Sequence, residues 1–562
     1  MEASIANVTN HRLCGVDLMY RVVPFSHMAA TAIRPAGQAV WKPRHNPWAI
    51  ALTVTLATFM EVLDTSIANV SLPHIAGSLA ASQTEATWVI SSYLVANAVI
   101  LPISGYLATL IGRKRFYMSC VAMFGISSFL CGLAPSLGML LFFRVLQGLG
   151  GGGLATSEQA ILADTFEPKK RGQAFALYGL AVVTAPAIGP LVGGWITDNY
   201  EWRWIFFINV PVALISMYLT NRVVEDPPHL VEAVKRARAG LVKIDYTGFL
   251  FTALGFGCLE VVLDKGQEDD WFGSHFITTF TVICILSIAA LILWELWQIR
   301  KGHKPVIELR LFRSRTFALS FLMMFILGIA LYGTTILIPQ MLQTLMGYTA
   351  TNAGKTLSLG GIATLICMPI VGMLITRIDA RYLLAFGFGI TSLALFHMTT
   401  IHLSMSLSYT AWLRFFQATG LGFMFIPIQT LAYVGVPMEN NNDVSGLTNL
   451  ARNMGGSVGT ALVATLLARQ AQRHQSYLGA HMTGGSPSYL RTMTQMSHHL
   501  VTGGLSAGGA NSAAMFRLYQ QLQQQAAMLS YIDIIRFFAF AALCMVPLPF
   551  VMRKSRGGAA MH

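Results

Sequence analysis

The amino-acid sequence predicts an all-α, polytopic membrane protein with fourteen transmembrane helices. Of its 562 residues, 54% are hydrophobic and only 11% are charged, whereas about 25% are charged in an ordinary soluble domain. Apolar stretches of about 20 residues, the length that spans a bilayer, recur along almost the whole chain. In addition, short strings in the first half recur in the second half. Together these observations exclude a soluble enzyme.

The fourteen predicted spans use about half of the chain and leave no room for a second large domain. Two six-helix bundles are predicted, with two additional helices between them. The predicted spans are centred near residues 58, 98, 124, 149, 183, 212, 254, 286, 327, 364, 392, 422, 460 and 541. The predicted divisions are an N-terminal extension (1–47), the first bundle (48–220), connections with two additional helices (221–315), and the second bundle (316–562) with a long polar loop at about 470–528.

The distribution of Lys and Arg predicts the orientation of the spans. Of the 38 basic residues, 27 lie in the termini and connections on one side of the predicted membrane, which we call the basic side. Cytoplasmic loops carry an excess of Lys and Arg. We therefore expect the basic side, with both termini, to be cytoplasmic. The net charge of +13 then reflects topology and does not indicate a nucleic-acid partner.

An internal duplication is visible at a nearly constant offset. The pattern R-x-x-Q-x-x-G begins at Arg144 and again at Arg414, which are 270 residues apart. A second shared pattern begins at Gly105 and Gly372, 267 residues apart. Spans one to six are thus predicted to recur as spans nine to fourteen, as in transporters built from parallel repeats. Chance similarity between glycine-rich packing surfaces is the alternative.

Ionisable residues inside predicted spans are the first candidates for function, because each costs about 2.5–3.5 kcal/mol to insert. Glu61 and Asp64 are three residues apart in span one and share a helix face. Span four contains Arg144 near one end and Glu158 toward the other. We expect Asp64, with Glu61 and Glu158, to face a central cavity and exchange protons, and Arg144 to neutralise a nearby carboxylate. The alternative is that they only fix helix packing.

Other polar positions favour structural roles. Glu260 and Asp264 share one face of span seven, and Asp264 is expected to be solvated at the outer membrane interface. The glycines and prolines of span five would allow close helix contact and a bend, which is either a hinge along which the two bundles separate or a purely structural kink. The sequence shows no nucleotide-binding loop and no Cys/His spacing typical of a metal site, so no cofactor and no metal are expected.

Several strings resemble the fourteen-span drug:proton antiporters of the major facilitator superfamily, in particular the EmrB type of multidrug export permease. The resemblance covers the chain from about residue 48 to its C-terminus. It is supported further by segments 263–272 and 347–354. The strings are VLDTSIANVSLP (62–73), GYLATLIGRKRF (105–116), RVLQGLGGG (144–152), APAIGPLVGG (185–194) and WRWIFFINVP (202–211).

The resemblance implies the major facilitator fold and proton-driven export of hydrophobic or amphipathic toxic compounds across a bacterial inner membrane. It assigns proton coupling to Asp64 and the family's span-four arginine to Arg144. Where the superfamily's loop motif often has an Asp, this chain has Thr109, which puts a charge-relay gate that depends on that acid in doubt. The residues implied in conformational gating are Gly105, Gly112, Arg113, Arg115, Gly189, Pro190, Gly193 and Gly194.

The same resemblance implies partners beyond the lipid bilayer, protons and small substrates. A periplasmic membrane-fusion adaptor and an outer-membrane channel would complete a tripartite pump. The segment at about 470–528 is either a docking surface or a disordered, solvated loop. Three alternatives to multidrug export remain open: export of one dedicated substrate such as a fatty acid or natural product, an uptake transporter or channel, and a membrane-embedded transferase. A transferase would require clustered acids and histidines near the interface, and the adjacent pair His498 and His499 in the outer loop has no persuasive acid partner.

Overall fold

A computed structural model describes residues 42–239, 244–483 and 485–552. Within these ranges the chain is helical and contains no β-strand. Most of the predicted N-terminal extension and the basic C-terminal segment lie outside the described residues. The α-helices are α1 (Pro47–Ser78), α2 (Gln83–Ile111), α3 (Arg113–Gly132), α4 (Leu137–Thr165), α5 (Arg171–Asn199), α6 (Trp204–Phe207), α7 (Asn209–Val223), α8 (Pro228–Arg238), α9 (Tyr246–Lys265), α10 (His275–Arg300), α11 (Arg315–Thr344), α12 (Ala350–Leu374), α13 (Ala380–Met398), α14 (Leu407–Ala432), α15 (Asn441–Ala480), α16 (Pro487–Thr502) and α17 (Ala507–Met545).

Each of the fourteen predicted span centres lies within a helix, and α6 and α7 together form the span centred near residue 212. In the described part of the chain, twelve helices are long and apolar enough to cross a membrane, and a thirteenth qualifies if bent α5 is one span. The remaining predicted span is α15, whose amino-terminal half is rich in buried polar side chains. The mean hydropathy of α15 is too low for a typical membrane span. Its position between other helices allows this, because protein groups there satisfy its polar side chains.

The helices pack in two groups. α1 packs against α5 and α7, and α4 packs against α2 and α3; in the second group α11 packs against α15, and α14 against α12 and α13. The groups meet where α5 packs against α12 and α14, and where α15 packs against α2 and α4. Helix α9 and its neighbour α10 form a pair, and α9 contacts both α2 and α15.

Small residues allow these helices to approach closely. An added Cβ at Gly150 of α4 would lie 2.8 Å from the backbone nitrogen of Phe124 in α3. One at Gly459 of α15 would lie 2.7 Å from the carbonyl oxygen of Ile329 in α11. Because association within lipid depends on close van der Waals packing, such positions favour glycine.

The outer segment at about 470–528 differs from the predicted polar loop. Helix α15 continues to Ala480, α16 occupies most of the middle, and α17 begins at Ala507, well before the apolar part of its span. His474 Nε2 lies 2.7 Å from Asp533 Oδ2, which joins α15 to α17. Alanine and glutamine, which favour helix, are frequent at the end of α15 and in the first part of α17. The expectation of a disordered loop is therefore wrong for the described residues.

Four 3₁₀ helices complete the described secondary structure. They stand in connections or at the end of the last helix, where short turns of this kind are common. Their ranges are Trp271–Gly273, Leu309–Arg313, Met438–Asn440 and Leu548–Val551.

Candidate functional site: a buried ion pair beside a central cavity

A buried ion pair joins α1 to α4. Arg144 Nη1 lies 2.6 Å from Asp64 Oδ2, and the two side chains are 0% and 1% exposed. Helix α1 supplies the acid from the middle of its length, and α4 supplies the base from the half that lies away from the basic side. The expectation that Arg144 neutralises a nearby carboxylate thus corresponds to a direct contact with Asp64. Neither charge would be tolerated here alone, because each needs the other to offset its desolvation.

Two amides complete the environment of the Asp64 carboxylate. Asn209 Nδ2 donates to Oδ1 over 2.6 Å, and Gln147 Nε2 donates to the same oxygen over 3.1 Å. On the other side of the pair, Arg144 Nε donates to the carbonyl oxygen of Val89 over 2.9 Å. Both ions are therefore hydrogen-bonded as well as paired, which is the condition for retaining charge in a protein interior.

A central cavity of about 350 Å³ lies beside this pair, and Glu61 forms part of its wall. Glu61 Oε1 accepts hydrogen bonds from Tyr93 Oη at 3.0 Å and from Asn97 Nδ2 at 3.2 Å. The guanidinium of Arg144 lies over the Tyr93 ring, 4.6 Å from its centroid. Tyr93 therefore contacts both the cavity-facing acid and the buried pair.

The cavity occupies the half of the molecule away from the basic side. Its wall follows α1 from Glu61 to Leu72 and α2 from Ala98 back to Thr87, so it extends from the middle of these helices toward their ends away from the basic side. The other walls come from α5, α9, α11 and α15. The charged residues that line it are Glu61, Glu260, Asp264, Glu268 and Arg452.

The structure corrects the expectation that all three candidate acids face this cavity. Only Glu61 lines it, whereas Asp64 points into the first helix group toward Arg144. Glu158 is fully buried and accepts a hydrogen bond from Thr55 Oγ1 over 2.6 Å. Spacing along α1 establishes that Glu61 and Asp64 share a face, but a shared face is broad enough to contact a cavity and a neighbouring helix at once.

On the basic side, close contacts join the first helix group to α15 of the second group. Arg113 Nη1 lies 2.6 Å from Asp164 Oδ2, and Arg113 Nε donates to Asn442 Oδ1 over 2.7 Å. Asn441 Nδ2 donates to Asp164 Oδ1 over 2.6 Å. An added Cβ at Gly105 would lie 3.0 Å from the carbonyl oxygen of Asn442. These contacts link the first group to the start of α15 on the basic side, whereas the cavity wall lies toward the other end of α1 and α2.

The other gating candidates of the α2–α3 turn differ in environment. Gly112 has a φ of +96°, in the region that favours glycine. Asp226 accepts a hydrogen bond from the backbone N–H of Lys114 over 2.8 Å and so fixes this turn. Arg115 is exposed, in contrast to buried Arg113. Thr109 accepts a hydrogen bond from Lys304 Nζ over 3.3 Å, so a neutral hydroxyl occupies that position.

The candidate glycines and proline of α5 are not equivalent. Gly193 faces α1, where an added Cβ would lie 3.1 Å from the Ile67 side chain, and Gly189 packs against Ser66. Gly194 faces open space, with no atom within 4 Å of an added Cβ. Pro190 follows a bend of 43° between segments 171–186 and 188–199. The bend and the close packing lie against the helix that carries Asp64.

The second helix group contains an arginine and a glutamine that correspond to those around Asp64 in the first group, but it has no carboxylate at the matching position. Arg414 Nη1 and Gln417 Nε2 donate to Thr334 Oγ1 over 2.8 and 2.9 Å. Thr334 is 270 residues after Asp64, the same offset that separates Arg414 from Arg144. The duplicated pattern thus meets a carboxylate in one half and a hydroxyl in the other.

Sequence reasoning missed several residues of the site. Asn209, Tyr93 and Asn97 are uncharged and were not candidates, although each is a polar side chain within an apolar stretch. Asp164 and Asn442 lie at helix ends, where polar residues are common, and only the fold shows that they meet Arg113. Within the described ranges, no cluster of three His, Cys, Asp or Glu residues is placed to hold a metal ion.

Comparison with known proteins identifies the family to which this chain belongs. A family model described as Major Facilitator Superfamily matches residues 54–460. The chain belongs to this superfamily. Its members are membrane transporters, so the prediction of a transporter is confirmed, and the transferase alternative, with His498 and His499, is not supported.

Relatives of known name agree with the predicted type of superfamily member. The chain is 35% identical over 458 residues to the multidrug export protein EmrB of Escherichia coli strain K12, covering 81% of this chain and 87% of the relative. It is 37% identical over 461 residues to the fatty acid resistance protein FarB of Neisseria gonorrhoeae, covering 82% and 87%. The resemblance to the EmrB type is thereby confirmed.

Solved structures of the superfamily share the fold. The proton:xylose symporter XylE, bound to 6-bromo-6-deoxy-D-glucose, is similar with a TM-score of 0.55 at 14% identity, covering 91% of this chain and 97% of that one. The human organic anion transporter MFSD10 (TETRAN) has a TM-score of 0.51 at 12% identity, covering 88% and 100%. These likenesses concern the fold alone.

Proposed function

We propose that this chain is a multidrug efflux transporter that exports hydrophobic or amphipathic compounds in exchange for protons. The relatives named as multidrug export proteins support the export of drugs. The single observation that supports proton coupling is the buried Asp64–Arg144 pair beside a cavity-lining carboxylate. Intramembrane ionisable groups are commonly part of proton relays.

The proposed mechanism is alternating access, with the structure representing the conformation open away from the basic side. A proton from the outer medium enters the cavity at Glu61 and reaches Asp64, one helical turn away on α1. Protonation of Asp64 removes one charge of the pair and frees the guanidinium of Arg144. Tyr93, which contacts both Arg144 and Glu61, would relay this change to the cavity wall.

Opening of the basic side requires the contacts between the two helix groups to break there. The ion pair of Arg113 with Asp164, and their bonds to Asn442 and Asn441, link the first group to α15. Gly189, Gly193, Pro190 and the bend in α5 would allow α5 to slide against α1 during this movement. The proton and the drug each favour one conformation through their difference in affinity for the two.

The distribution of basic residues supports a cytoplasmic location for the basic side and both termini, and a bacterial inner membrane for the protein. We propose a periplasmic membrane-fusion adaptor and an outer-membrane channel as partners. The helical extension formed by the end of α15, α16 and the start of α17 would be the contact surface for the adaptor. It projects from the side on which the cavity opens.

Export of a dedicated substrate is the second candidate function. The relative named as a fatty acid resistance protein, at 37% identity, favours it over other single-substrate functions. A panel of fatty acids and unrelated drugs tested in cells that lack their own pumps distinguishes the two. Resistance to fatty acids alone would support the dedicated exporter.

Substitution of Asp64 tests the proposed coupling. In everted membrane vesicles with an acidic lumen, the wild-type protein should accumulate ethidium, and Asp64→Asn should abolish accumulation while the protein remains in the membrane. The matched control is Asp198→Asn, because Asp198 is exposed at the outer end of α5 and does not line the cavity. Unchanged uphill transport by Asp64→Asn would overturn the assignment.

A further inference from the structure

One of the two additional helices is part of the cavity wall. Helix α9 packs against α2 of the first group and contacts α15 of the second. Near its outer end it places Glu260 and Asp264 on the cavity. Asp264 is partly buried and accepts a hydrogen bond from Ser91 Oγ, so it forms part of the cavity wall. The helix therefore contributes chemistry to the site and is not only a connection between bundles.

Glu260 is the cavity acid with unused hydrogen-bonding capacity. The residue is 2% exposed. Its Oε1 accepts a hydrogen bond from Ser457 Oγ over 2.6 Å, but its Oε2 has no hydrogen-bond partner. Burying a carboxylate oxygen without a partner is costly. A ligand that brings positive charge into the cavity would remove this cost.

The other charged residues of the cavity wall have partners. Glu268 forms an ion pair with Lys265 over 2.7 Å, and Glu61 accepts bonds from a tyrosine and an asparagine. Arg452 of the second group is the one cavity-lining cation among the described residues. It donates a hydrogen bond to Tyr178 Oη over 2.6 Å. Four carboxylates thus share the wall with one guanidinium, and Glu260 is the least compensated of them.

We propose that Glu260 recognises the positive charge of lipophilic cationic substrates, and that helix α9 therefore determines the preference of this transporter for cations. The cavity of about 350 Å³ is within the size range of pockets for small molecules. Apolar side chains such as Val62, Leu94 and Ile336 also line the cavity and would contact the apolar part of the ligand. This inference rests on the proposed drug-export function and names its substrate class.

Two probes of matched shape and opposite charge test the inference. Tetraphenylphosphonium and tetraphenylborate differ in net charge but present the same four phenyl groups. Binding of each to the purified full-length protein is measured by isothermal titration calorimetry in detergent. Wild type should prefer the cation, and Glu260→Gln should reduce the ratio of cation to anion affinity by about tenfold or more, since one partner of a buried charge interaction is lost.

Two further variants separate charge recognition from a packing role. Ser457→Ala removes the hydroxyl that bonds to Glu260 but keeps the carboxylate, so the cation preference should persist or increase. Glu201→Gln removes a negative charge from an exposed outer connection that does not line the cavity, and the ratio should change by less than about twofold. The inference would be overturned if Glu260→Gln lost affinity for both probes equally, or if the ratio of the two affinities did not change.

Failure of the inference is distinguishable from failure of the proposed function. If Asp64→Asn abolishes uphill transport while Glu260→Gln keeps the wild-type ratio of probe affinities, proton-driven export stands and α9 does not select cations. If Asp64→Asn transports like wild type but Glu260→Gln loses its cation preference, the binding assignment stands and the proposed coupling fails.

Discussion

The buried pair between Asp64 and Arg144 should be energetically coupled far more strongly than a surface ion pair. In Asp64→Asn, the guanidinium would remain in a low-dielectric interior with only neutral partners. In Arg144→Gln, the carboxylate would retain only the donors of Gln147 and Asn209. Each single substitution should therefore reduce the free energy of unfolding by about 3–5 kcal/mol, the usual cost of leaving one buried charge uncompensated.

The double variant should recover much of this loss. With both substitutions, two neutral amides face each other and no charge is buried, so the total cost should be smaller than the sum of the single costs. A coupling energy of about 3 kcal/mol is expected, at the upper end of values for contacting residues. The contact distance of 2.6 Å and the nearly complete burial of both side chains are the reasons for this estimate.

The free energies can be measured by titrating the purified protein in mixed micelles with sodium dodecyl sulfate and following the fluorescence of its 10 tryptophans. The matched control is the pair of Glu232 and Arg236, which are 4.0 Å apart and 70% and 72% exposed. Its coupling energy should be below about 1 kcal/mol. A coupling below about 0.5 kcal/mol between Asp64 and Arg144, on the order of the error of additivity, would refute the argument.

Two further predictions concern the turn and the closed interface of the basic side. Gly112→Ala should reduce the free energy of unfolding by about 1–3 kcal/mol, since φ is +96° and an added Cβ lies 2.9 Å from Asp226. The control, Gly194→Ala, should be neutral or slightly stabilising, because open space surrounds that position. Equal effects of the two substitutions would contradict this reasoning. Asp164→Asn should loosen the contacts that close the basic side, so a Ser445→Cys reporter in a cysteine-free background should react faster with a membrane-impermeant maleimide in everted vesicles. Unchanged labelling would show that these contacts do not hold the interface closed.

The length of the apolar stretches predicts most of the helices. The structure differs from the prediction where a helix is polar. The apolar stretch near residue 460 predicts a span there, although α15 as a whole is less apolar than the other membrane-spanning helices. The polar composition beyond the span predicts a loop, whereas α15 continues as a helix to Ala480. A helix that leaves the bilayer needs no apolar surface, so only residue propensity could have indicated it.

The candidate site was partly predictable for a similar reason. The cost of burying charge identifies Asp64, Glu61 and Arg144 from sequence alone. Which of them contacts solvent depends on the rotation of α1 against its neighbours, and an i,i+3 spacing does not determine that rotation. The contribution of Glu260 depends on where α9 packs, and neither periodicity nor the internal duplication assigns a position to an inserted helix.

The length of α15 has a mechanical consequence. Its 40 residues correspond to about 60 Å of helix, roughly twice the hydrocarbon thickness of a bilayer. Taking the pivot near Gly455, the 25 residues to Ala480 form a lever arm of about 37 Å. A tilt of only about 10° would then carry the tip sideways by about 6 Å. A small tilt of α15 would thus become a displacement of several ångströms at its tip, outside the membrane.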